Sequence, residues 1–496
     1  MTYLIKLHPE ITIKSKSVRD HMIKRLRHNV RNVLRHYVEA RVKGRFDSLE
    51  ISLAESVDEA QRVAAEEALA RIPGLHEVLA VDEFSFHSFD QVAEQVLPIW
   101  APRIAGRSFR VRVKRRGRHD FSSSDLERYL GGQLLQAEPT ARVDLSAADE
   151  TLTLELKQNR LFVVSRRWRG LGGYPLGTQE HALALISGGF DSPVAAWRMM
   201  CRGARTHFLF FNLGGPAHEA GVREVVHHLW ARYGISHRVF FTSVPFEPVV
   251  GEILRTVPDG LMGVVLKRMM LRVAGQLADK WQIPALVTGD AVAQVSSQSL
   301  TNLRVIDQVT DHLVLRPVIT DNKQTIIDQA RQIGTAPFAE VMPEYCGVIS
   351  KRPNIRVNSE QILTAEADFD FSVLETAQQQ SQSVRVDRLL EQSFLTIQPD
   401  QLLTLDTDGL RKMGGACGIL DIRAPQDQAA EPLTDVGVPV KTLPFFQLQS
   451  RSAELDPDTT WLLYCDRGVM SRMQALHLLD QGLSRVGVFV RERTSV

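Results

Sequence analysis

The pattern of apolar and polar positions in the first third of the chain predicts an amphipathic helix and a half-buried strand. Apolar side chains recur at helical spacing between residues 18 and 37, at Val18, Met22, Leu26, Val30, Val33, Leu34 and Tyr37. Between residues 109 and 114, apolar and basic side chains alternate with the period of two that is typical of a strand with one buried face. The polar face of both elements is basic, so the pattern predicts two positively charged outer surfaces.

Further along, short apolar runs alternate with helix-like segments. Between residues 182 and 345 the runs ALALI, THFLFF and ALVTG predict strands, and this rhythm is typical of βαβ units around a parallel sheet. From about residue 402, the runs ILDIR, VKTLPF, WLLYC and VGVFV and the helix-like SRMQALHLLDQG predict a smaller α/β domain. The glycine-rich residues 171–178 and the Gln- and acid-rich residues 358–400 are expected to be connectors.

The length of 496 residues exceeds what one hydrophobic core supports and predicts three or four domains. The N-terminal apolar run is interrupted at Lys6 and lacks the features of a signal peptide, and no stretch approaches the roughly 18 apolar residues of a membrane span. We therefore expect a cytoplasmic protein without membrane contact. Its four cysteines are expected to be reduced, metal-binding or catalytic, and because they form no CxxC pair we expect no structural metal site.

The net charge of +1 hides an uneven distribution of basic residues. Residues 1–46 contain twelve Lys and Arg, and further basic clusters occupy residues 107–118 and 160–169. A solvated surface would account for any one cluster, whereas three together favour a surface that binds a phosphate backbone by its shape. The candidate nucleic-acid contacts in the second cluster are Arg110, Arg112, Lys114, Arg115, Arg116 and Arg118.

The segment SGGFDS, residues 187–192, joins an apolar strand to a helix and predicts a phosphate-binding loop. Gly188 and Gly189 allow the backbone to approach an anion, and the N–H groups of the following helix point towards it. Ser187 and Ser192 add hydroxyl donors. An ordinary glycine turn is the alternative, and the loop matches neither the Walker motif nor the dinucleotide motif GxGxxG.

Two further stretches fit the same site. Lys267 and Arg268 lie in an apolar helix-like segment, where a cation is costly unless it is paired with an anion. A surface lysine with its ammonium group in water is the alternative for Lys267. Residues 285–298 predict a strand that runs into a loop of small polar residues, as expected at the carboxyl edge of an α/β sheet.

Cys465 lies in YCDRGVMSR, at a predicted strand end. Arg467, Arg472 and the backbone N–H groups of the loop favour a thiolate or a bound anion. Cysteine phosphatases and persulfide-carrying sulfurtransferases both use such a loop, but Ser471 stands where the phosphatase loop has arginine, which disfavours a phosphatase.

The other three cysteines differ in their surroundings. Cys346 follows a Pro-Glu-Tyr turn in MPEYCGVIS and is a second candidate for chemistry, with a buried inert thiol as the alternative. Cys201 and Cys417 have no such setting and are expected to be incidental.

The loop SGGFDS resembles the pyrophosphate loop of ATP pyrophosphatases. The Cys465 loop, with ILDIR upstream, resembles a rhodanese domain, although Met470 replaces the arginine that is common there, which favours a protein persulfide over thiosulfate as sulfur donor. Over essentially the whole chain, the blocks VRVKRRGRHDFSSSDLERY, LISGGFDS, FNLGGPAHE, MPEYCGVISK and CDRGVMSR resemble the tRNA 4-thiouridine synthetase family in its long form.

This resemblance implies a multidomain α/β and α+β architecture. It comprises a ferredoxin-like domain (1–62), a THUMP RNA-binding domain (63–167), a linker (168–178), a doubly wound parallel-sheet PP-loop ATP pyrophosphatase domain (179–357), a linker (358–403) and a rhodanese-like α/β domain (404–496). The implied reaction adenylates C4 of uridine 8 of tRNA and replaces its oxygen with sulfur. ATP, with Mg²⁺ near Asp191, is expected to contact Leu185, Ile186, Ser187, Gly188, Gly189, Asp191, Ser192, Lys267, Gly289 and Gln298.

The resemblance also implies the sulfur chemistry. A cysteine desulfurase loads Cys465 as a persulfide, and Cys346 then forms a disulfide with Cys465 that a thioredoxin-type reductant reopens. Direct attack of the persulfide on C4 and release of sulfide both stay open. A sulfur carrier protein of the thiamine pathway is a further expected acceptor. The alternatives are a non-catalytic tRNA-binding protein and a sulfur-relay enzyme that serves only thiazole synthesis.

Overall fold

The computed structural model is divided by its internal contacts into two compact units. The first comprises Met1–Gln179, Met200–Ala204 and Arg232–His237, and the second comprises the rest of the chain. The described residues are 1–45, 48–213, 215–340, 342, 352–391, 402–413, 416–423, 428, 432–434, 436–443, 448, 451, 454–465, 469–480 and 482–491. Within these ranges, no helix combines the length and the apolar character needed to cross a membrane.

The first unit is an α+β structure. Its strands are β1 (Thr2–Leu7), β2 (Ala40–Arg45), β3 (Ser48–Leu53), β4 (Leu75–Ser85), β5 (Ser108–Arg116), β6 (Arg142–Val143), β7 (Glu150–Lys157) and β8 (Arg160–Arg169). Its helices are α1 (Pro9–Thr12), α2 (Lys16–Leu34), α3 (Glu59–Ala70), α4 (Phe89–Ile104) and α5 (Ser123–Ala137). The strands form one sheet in the order β2-β3-β1-β4-β8-β7-β5-β6.

The predicted amphipathic helix is confirmed as α2. Its buried face includes Met22, Leu26 and Val30, which pack with Ile5 of β1 in one core, whereas Val18 is exposed. Burial of this apolar stripe is what holds the helix on the sheet, because its basic outer face contributes little packing.

The predicted strand is confirmed as β5. Phe109, Val111 and Val113 are buried in a second core together with residues of α4 and α5. Because successive side chains alternate between faces, Arg110 and Arg112 project from the opposite face of the sheet.

Two expected domain boundaries in this unit fall inside secondary-structure elements. The boundary at 62/63 falls inside α3, which opens with a capping box between Asp58 and Gln61 and packs as a whole in the first core. The boundary at 167/168 falls inside β8, where Trp168 pairs with Val78 of β4. Antiparallel pairing of β4 with β8 therefore joins the two halves into one continuous sheet.

Residues 170–178, which make up most of the expected linker 168–178, belong to the first unit and pack within it. The Gly172 N–H donates to the Leu75 carbonyl at 2.6 Å, and the buried Asn29 side chain donates to the Leu176 carbonyl at 2.9 Å. The glycine-rich composition here serves close backbone approach, since a Cβ on Gly170 would meet the Leu75 carbonyl carbon at 2.8 Å.

The second unit begins with an α/β domain. Its strands are β9 (Gln179–Leu185), β10 (Ala204–Asn212), β11 (Phe240–Pro245), β12 (Ala285–Val287), β13 (Leu313–Leu315) and β14 (Gln382–Arg385). Its helices are α6 (Asp191–Cys201), α7 (Gly215–Leu229), α8 (Glu247–Thr256), α9 (Met262–Trp281), α10 (Leu300–Asp307), α11 (Lys323–Ile333), α12 (Ala336–Ala339), α13 (Ser359–Glu366) and α14 (Ser372–Gln379).

The sheet of this domain has the order β13-β12-β9-β10-β11-β14. The strands β9 and β13 both pair in parallel with β12, and β10 pairs in parallel with β11, as the doubly wound prediction requires. The strand order reverses between β9 and β12, and in open α/β sheets ligands bind at the carboxyl ends of the strands at such a point.

The expected linker at 358–403 is wrong for residues 358–391. Helices α13 and α14 contribute Ile362, Leu374 and Ala377 to the core of the α/β domain, and β14 adds an antiparallel edge strand to β11. Polar composition misled the prediction because these short elements bury only one side. Any connector is thus confined to the region after Glu391, and residues 392–401 lie outside the described part of the chain.

The C-terminal domain is also α/β. It consists of β15 (Leu403–Leu405), α15 (Thr407–Lys412), β16 (Cys417–Asp421), β17 (Val440–Thr442), β18 (Thr460–Tyr464), α16 (Val469–Asp480) and β19 (Val486–Phe489). The strands form a sheet in the order β15-β19-β18-β16-β17, with all four neighbouring pairs parallel. Cys465 directly follows β18, as expected for a strand end.

Candidate active site

A cavity of about 560 Å³ opens at the reversal point between β9 and β12. All ten residues predicted to contact ATP line it: Leu185, Ile186, Ser187, Gly188, Gly189, Asp191, Ser192, Lys267, Gly289 and Gln298. The apolar part of the wall includes Phe210, Phe211, Met270 and Leu271. The cavity thus combines an apolar pocket with one polar end, as small-molecule sites commonly do.

The SGGFDS loop is closed by its two serines. The Ser187 N–H donates to Ser192 Oγ at 2.8 Å, and the two hydroxyl oxygens lie 2.9 Å apart. Gly289 at the end of β12 lies directly against this loop, since a Cβ there would stand 2.7 Å from the Ser192 nitrogen. Glycine is therefore required at 289 for the two strand ends to meet at the start of α6.

Asp191 at the start of α6 is held by two residues that sequence reasoning missed. The Lys323 ammonium lies 3.0 Å from each carboxylate oxygen, and Gln294 Nε2 donates to Oδ2 at 3.0 Å. Lys323 also lies over the ring of Phe190, 5.5 Å from its centroid. Nothing in the polar segment around Lys323 marks it, because its partner is 132 positions away.

The donor set suits Mg²⁺ only in company with phosphate oxygens. Mg²⁺ is commonly bound by one or two carboxylates together with substrate phosphates, and Asp191 supplies one carboxylate at the polar end of the cavity. Across the described residues, no three His, Cys, Asp or Glu side chains are grouped closely enough to hold a metal ion.

Lys267 is paired with a buried carboxylate, as its apolar surroundings require. Its ammonium lies 2.6 Å from Asp290 Oδ1, and Gln298 Nε2 donates to the same oxygen at 3.2 Å. Burial alone raises the pKa of the Asp290 carboxyl, but the charge and hydrogen bond of Lys267, the Thr288 hydroxyl and the charge of Arg316 outweigh it. The pKa of Asp290 is therefore well below its usual range, and the pair is ionised.

Arg268, the residue directly after Lys267, does not line the cavity. Its guanidinium is buried, with Nε donating to Glu366 Oε1 at 2.6 Å and Nη2 to Glu366 Oε2 at 3.0 Å. The pair joins α9 to α13 and has a structural role.

His218 is a further cavity residue that sequence reasoning missed. Its ring packs edge-on against Phe210 at a centroid distance of 4.8 Å, and it lines the cavity near the start of α7. Burial lowers the pKa of His218 to about 4, so its imidazole is neutral at ordinary pH.

Cys346 lies outside the described residues, but the chain on both sides of it is described. On the N-terminal side, Met342 fills the space beside Gly188 of the loop, and a Cβ on Gly221 of α7 would stand 2.9 Å from its sulfur. On the C-terminal side, Pro353 lines the cavity.

Hydrogen bonds hold residues 352–357 in place beside the cavity. The Asn354 N–H donates to the Gly260 carbonyl at 2.9 Å, and the fully buried Asn302 side chain donates to the Asn354 carbonyl at 2.9 Å. The Val357 N–H in turn donates to Asn302 Oδ1 at 2.9 Å. Both described ends of the segment that carries Cys346 therefore lie beside the cavity.

Cys465 contacts the first turn of α16. The Ser471 N–H donates to Cys465 Sγ at 3.3 Å, and the Ser471 hydroxyl oxygen lies 3.4 Å from the same sulfur. Arg472 is exposed, and Arg467 lies outside the described residues. At the neighbouring end of β16, the buried Arg423 pairs with Asp421 at 2.8 Å.

The other two cysteines are not brought to either site. Cys201 is the last residue of α6, and Cys417 is the first residue of β16, where burial raises the pKa of its thiol.

The six candidate nucleic-acid contacts do not share one face. Arg110, Arg112 and Lys114 alternate with the buried residues of β5, whereas Arg115 lies on the helix side, where its Nε donates to Ser123 Oγ at 3.2 Å. Arg116 ends the strand, and Arg118 follows the turn at Gly117.

A second cavity, of about 720 Å³, lies in the first unit where β7 and β8 part. Its lining includes Trp100, Arg103, Arg166, Arg167 and Trp168. The carboxylates of Glu66, Glu67 and Glu150 also line it, and Arg166 is paired with Glu66, so the wall mixes both signs of charge.

Three family models match the chain. They are described as ThiI ferredoxin-like domain, matching residues 2–78, THUMP domain, matching residues 86–166, and Thiamine biosynthesis protein (ThiI), matching residues 177–371. These matches agree with the order of folds in the two units as far as residue 371.

Curated relatives and a solved structure extend the similarity. The tRNA sulfurtransferase of Klebsiella pneumoniae subsp. pneumoniae is 50% identical over 490 residues, covering 99% of this chain and 100% of that protein. The tRNA sulfurtransferase of Escherichia coli strain K12 / DH10B is 49% identical with the same coverage. The crystal structure of a 4-thiouridine synthetase–RNA complex with bound ATP is 25% identical, with a TM-score of 0.68, and covers 77% of this chain and 99% of that chain. Identity at this level over the full length of its relatives shows that the chain belongs to the tRNA sulfurtransferase family.

Proposed function

We propose that this chain uses ATP to adenylate C4 of uridine 8 in tRNA and replaces the oxygen there with sulfur from a persulfide on Cys465, giving 4-thiouridine. The observation that carries the proposal is the position of α7. Its residue Gly221 lies against Met342, which precedes Cys346 by four residues, and Cα atoms of α7 lie within 8 Å of those of α16, which follows Cys465. The chain before Cys346 and the helix after Cys465 thus both lie against α7, whose residue His218 lines the cavity.

The activation step uses the polar end of the cavity. The uracil C4 oxygen attacks the α-phosphorus of ATP, pyrophosphate leaves, and the N3 proton is lost to solvent. The N–H groups of the SGGFDS loop and the positive end of α6 hold the phosphates. Lys267 and Lys323 offset the negative charge that shifts to pyrophosphate. Electrostatic stabilisation of this kind is usually the largest single contribution to the rate enhancement at such a site.

The sulfur step takes one of two balanced routes. In the first, the terminal sulfur of the Cys465 persulfide attacks C4 and AMP leaves with the oxygen. The Cys346 thiolate then attacks Cys465 Sγ, which releases 4-thiouridine and forms a disulfide. In the second, Cys346 attacks Cys465 Sγ first, and the released sulfide displaces AMP. Either route leaves a Cys346–Cys465 disulfide, whose reduction takes two electrons from a thioredoxin-type protein.

The name of the curated relatives and the RNA in the solved complex support tRNA as the substrate. The first unit supplies the surface, with Arg112 and Lys114 exposed on β5. Its contacts with phosphates would be independent of base sequence and sensitive to salt.

A cysteine desulfurase is the proposed source of the persulfide. The description of the family model, Thiamine biosynthesis protein, favours a second acceptor, the sulfur carrier protein of the thiamine pathway. The Cys465 persulfide would serve both acceptors, with the nucleotide cavity needed only for tRNA.

The test is a reconstituted reaction of tRNA, ATP, cysteine, desulfurase and reductant, with 4-thiouridine measured by mass spectrometry of nucleosides. The Cys465→Ala variant should release pyrophosphate and form adenylated tRNA but no 4-thiouridine, and the Cys417→Ala variant is the matched control. Cys346→Ala should block turnover; product at the parent's rate from Cys465→Ala would overturn the persulfide assignment.

A further inference from the structure

We infer that Asp290 orients the side-chain amide of Gln298, and that the cavity therefore selects nucleotides by a hydrogen-bond donor on their nucleoside part. The inference rests on the proposed function, since it concerns the nucleotide of that reaction. It assigns a positioning role to Asp290 and a specificity-determining role to the oxygen of Gln298.

The carboxylate of Asp290 is surrounded by donors from separate elements. Its Oδ1 accepts from Lys267 of α9 at 2.6 Å and from Gln298 at 3.2 Å. Its Oδ2 accepts from the Thr288 hydroxyl at 2.7 Å and from Arg316 Nε at 3.3 Å. Four donors fix this carboxylate, which is only 7% exposed, so it provides a rigid reference for the side chains bound to it.

The chemistry of the carboxylate dictates which way the amide of Gln298 faces. An ionised carboxylate only accepts hydrogen bonds, so the Gln298 NH₂ group must face Asp290 and the amide oxygen must face away. Gln298 lines the cavity, and its Oε1 is buried without a hydrogen-bond partner among the described residues. A buried acceptor that lacks a partner is costly, and a ligand that donates to it removes that cost.

The nucleoside part of ATP has two sources of such a donor: the exocyclic amine of adenine and the ribose hydroxyls. A carbonyl oxygen in place of the amine, as in inosine triphosphate, would bring two acceptors together. A site built to receive a donor rejects analogues that lack it more strongly than an apolar pocket rejects a change of size.

Lys267 is coupled to the same carboxylate. Other charged groups around this network are Arg316, which is also bound by Asp307 at 2.6 Å, and Asp191 with Lys323 at the phosphate end. Loss of the Asp290 charge therefore loosens a cation as well as the amide. It should weaken the binding of every nucleotide, in addition to reducing selectivity.

The experiment measures binding of ATP, inosine triphosphate, 2′-deoxy-ATP and 3′-deoxy-ATP to the full chain by isothermal titration calorimetry. The parent should bind at least one analogue about 10-fold or more weakly than ATP. The analogue affected identifies the donor as the amine or a ribose hydroxyl. In Asp290→Asn, the Gln298 amide is no longer held in one orientation and can turn over. The ratio of ATP affinity to analogue affinity should then come close to one, and ATP binding should weaken.

Asp307→Asn is the matched control, because it removes one carboxylate from Arg316 without touching Gln298, and it should keep the parent's ratio. If Asp290→Asn does not fold by calorimetric unfolding, Gln298→Met replaces it and should show the same loss of selectivity. Equal binding of all four nucleotides by the parent, or an unchanged ratio in Asp290→Asn, would overturn the inference. A parent that binds no ATP would instead overturn the proposed function.

Discussion

The ammonium group of Lys323 lies 3.0 Å from both carboxylate oxygens of Asp191, although the two residues are 132 positions apart in the chain. Lys323 is the first residue of α11 and Asp191 the first residue of α6, so the pair joins the starts of two helices at the polar end of the cavity. The side chain of Lys323 is 39% exposed, so in the proposed reaction it would be able to exchange this partner for a phosphate.

Replacing this lysine should impair adenylation more than folding. We expect Lys323→Met to lower the rate of pyrophosphate release with tRNA by about 100-fold or more, because one charge that stabilises the leaving group is lost. Lys280→Met, at an exposed site on α9, is the control and should keep the parent's rate. A Lys323→Met rate within about twofold of the parent would exclude a role in the activation step.

A methyl group at Gly289 should block nucleotide binding. Its Cβ would stand 2.7 Å from the Ser192 nitrogen and 2.9 Å from the Asp191 carbonyl carbon, so the backbone of the loop has to move. We expect Gly289→Ala to weaken ATP binding by about 100-fold in calorimetric titrations, since a shift of about 1 Å can cost that much. At Gly251 of α8 a Cβ meets nothing within 4 Å, and Gly251→Ala should bind ATP normally.

The pair of Arg268 and Glu366 should be essential for stability. Glu366→Ala leaves a buried guanidinium without its charged partner, which typically costs about 3–5 kcal/mol. We expect a clearly lower melting temperature in calorimetry. The exposed Glu360→Ala on the same helix should melt like the parent, and equal melting of both variants would contradict the structural role.

Acid should destabilise the α/β domain through His207. Burial, helped by the charges of His181 and Arg205, lowers the pKa of His207 to about 4. The unfolded chain binds its proton near the usual pKa of about 6.5, so stability falls as the pH drops through 6.5 and levels off below 4.

From pH 7 to pH 5 this residue alone should cost about 2 kcal/mol. His207→Gln keeps an acceptor for the Phe240 N–H. In this variant, the free energy of unfolding from urea denaturation should differ between pH 7 and pH 5 by about 2 kcal/mol less than in the parent. An unchanged pH dependence would show that His207 titrates normally in the folded protein.

Basic residues on the outer face of β5 should contribute to tRNA affinity. Arg112→Ala should reduce binding of tRNA several-fold at physiological salt and lower the slope of log K against log salt by about one unit. Arg411→Ala, at an exposed site of the C-terminal domain, should change neither quantity. If the slope of log K against log salt were the same in Arg112→Ala and Arg411→Ala, the tRNA surface would lie elsewhere.

Local patterns in the sequence predicted the parts of the site that one segment forms alone. SGGFDS was identified because strand, glycine turn and helix follow each other directly, and Cys465 because a strand ends at Tyr464. The placement of Lys267 against an anion followed from the cost of a cation in an apolar helix.

The parts that the sequence did not predict depend on contacts between distant segments. Lys323 and Arg316 reach their carboxylate partners only after the sheet has assembled, and no local pattern marks them. Asp290 lies within the small polar residues of 285–298, so the sequence does carry a signal for it. Residues 358–391 resemble a connector in composition because their short helices and edge strand each bury only one face.

The pairing of β14 with β11 limits the length of chain between the α/β domain and the C-terminal domain. Because the α/β domain extends to Glu391 and the next described residue is Leu402, only ten residues lie between them, and they span roughly 40 Å when fully extended. Under the proposed function, the thiol of Cys465 would therefore act as an intramolecular reagent at high local concentration. Sulfur carried on that thiol would then reach the cavity without diffusing through solution.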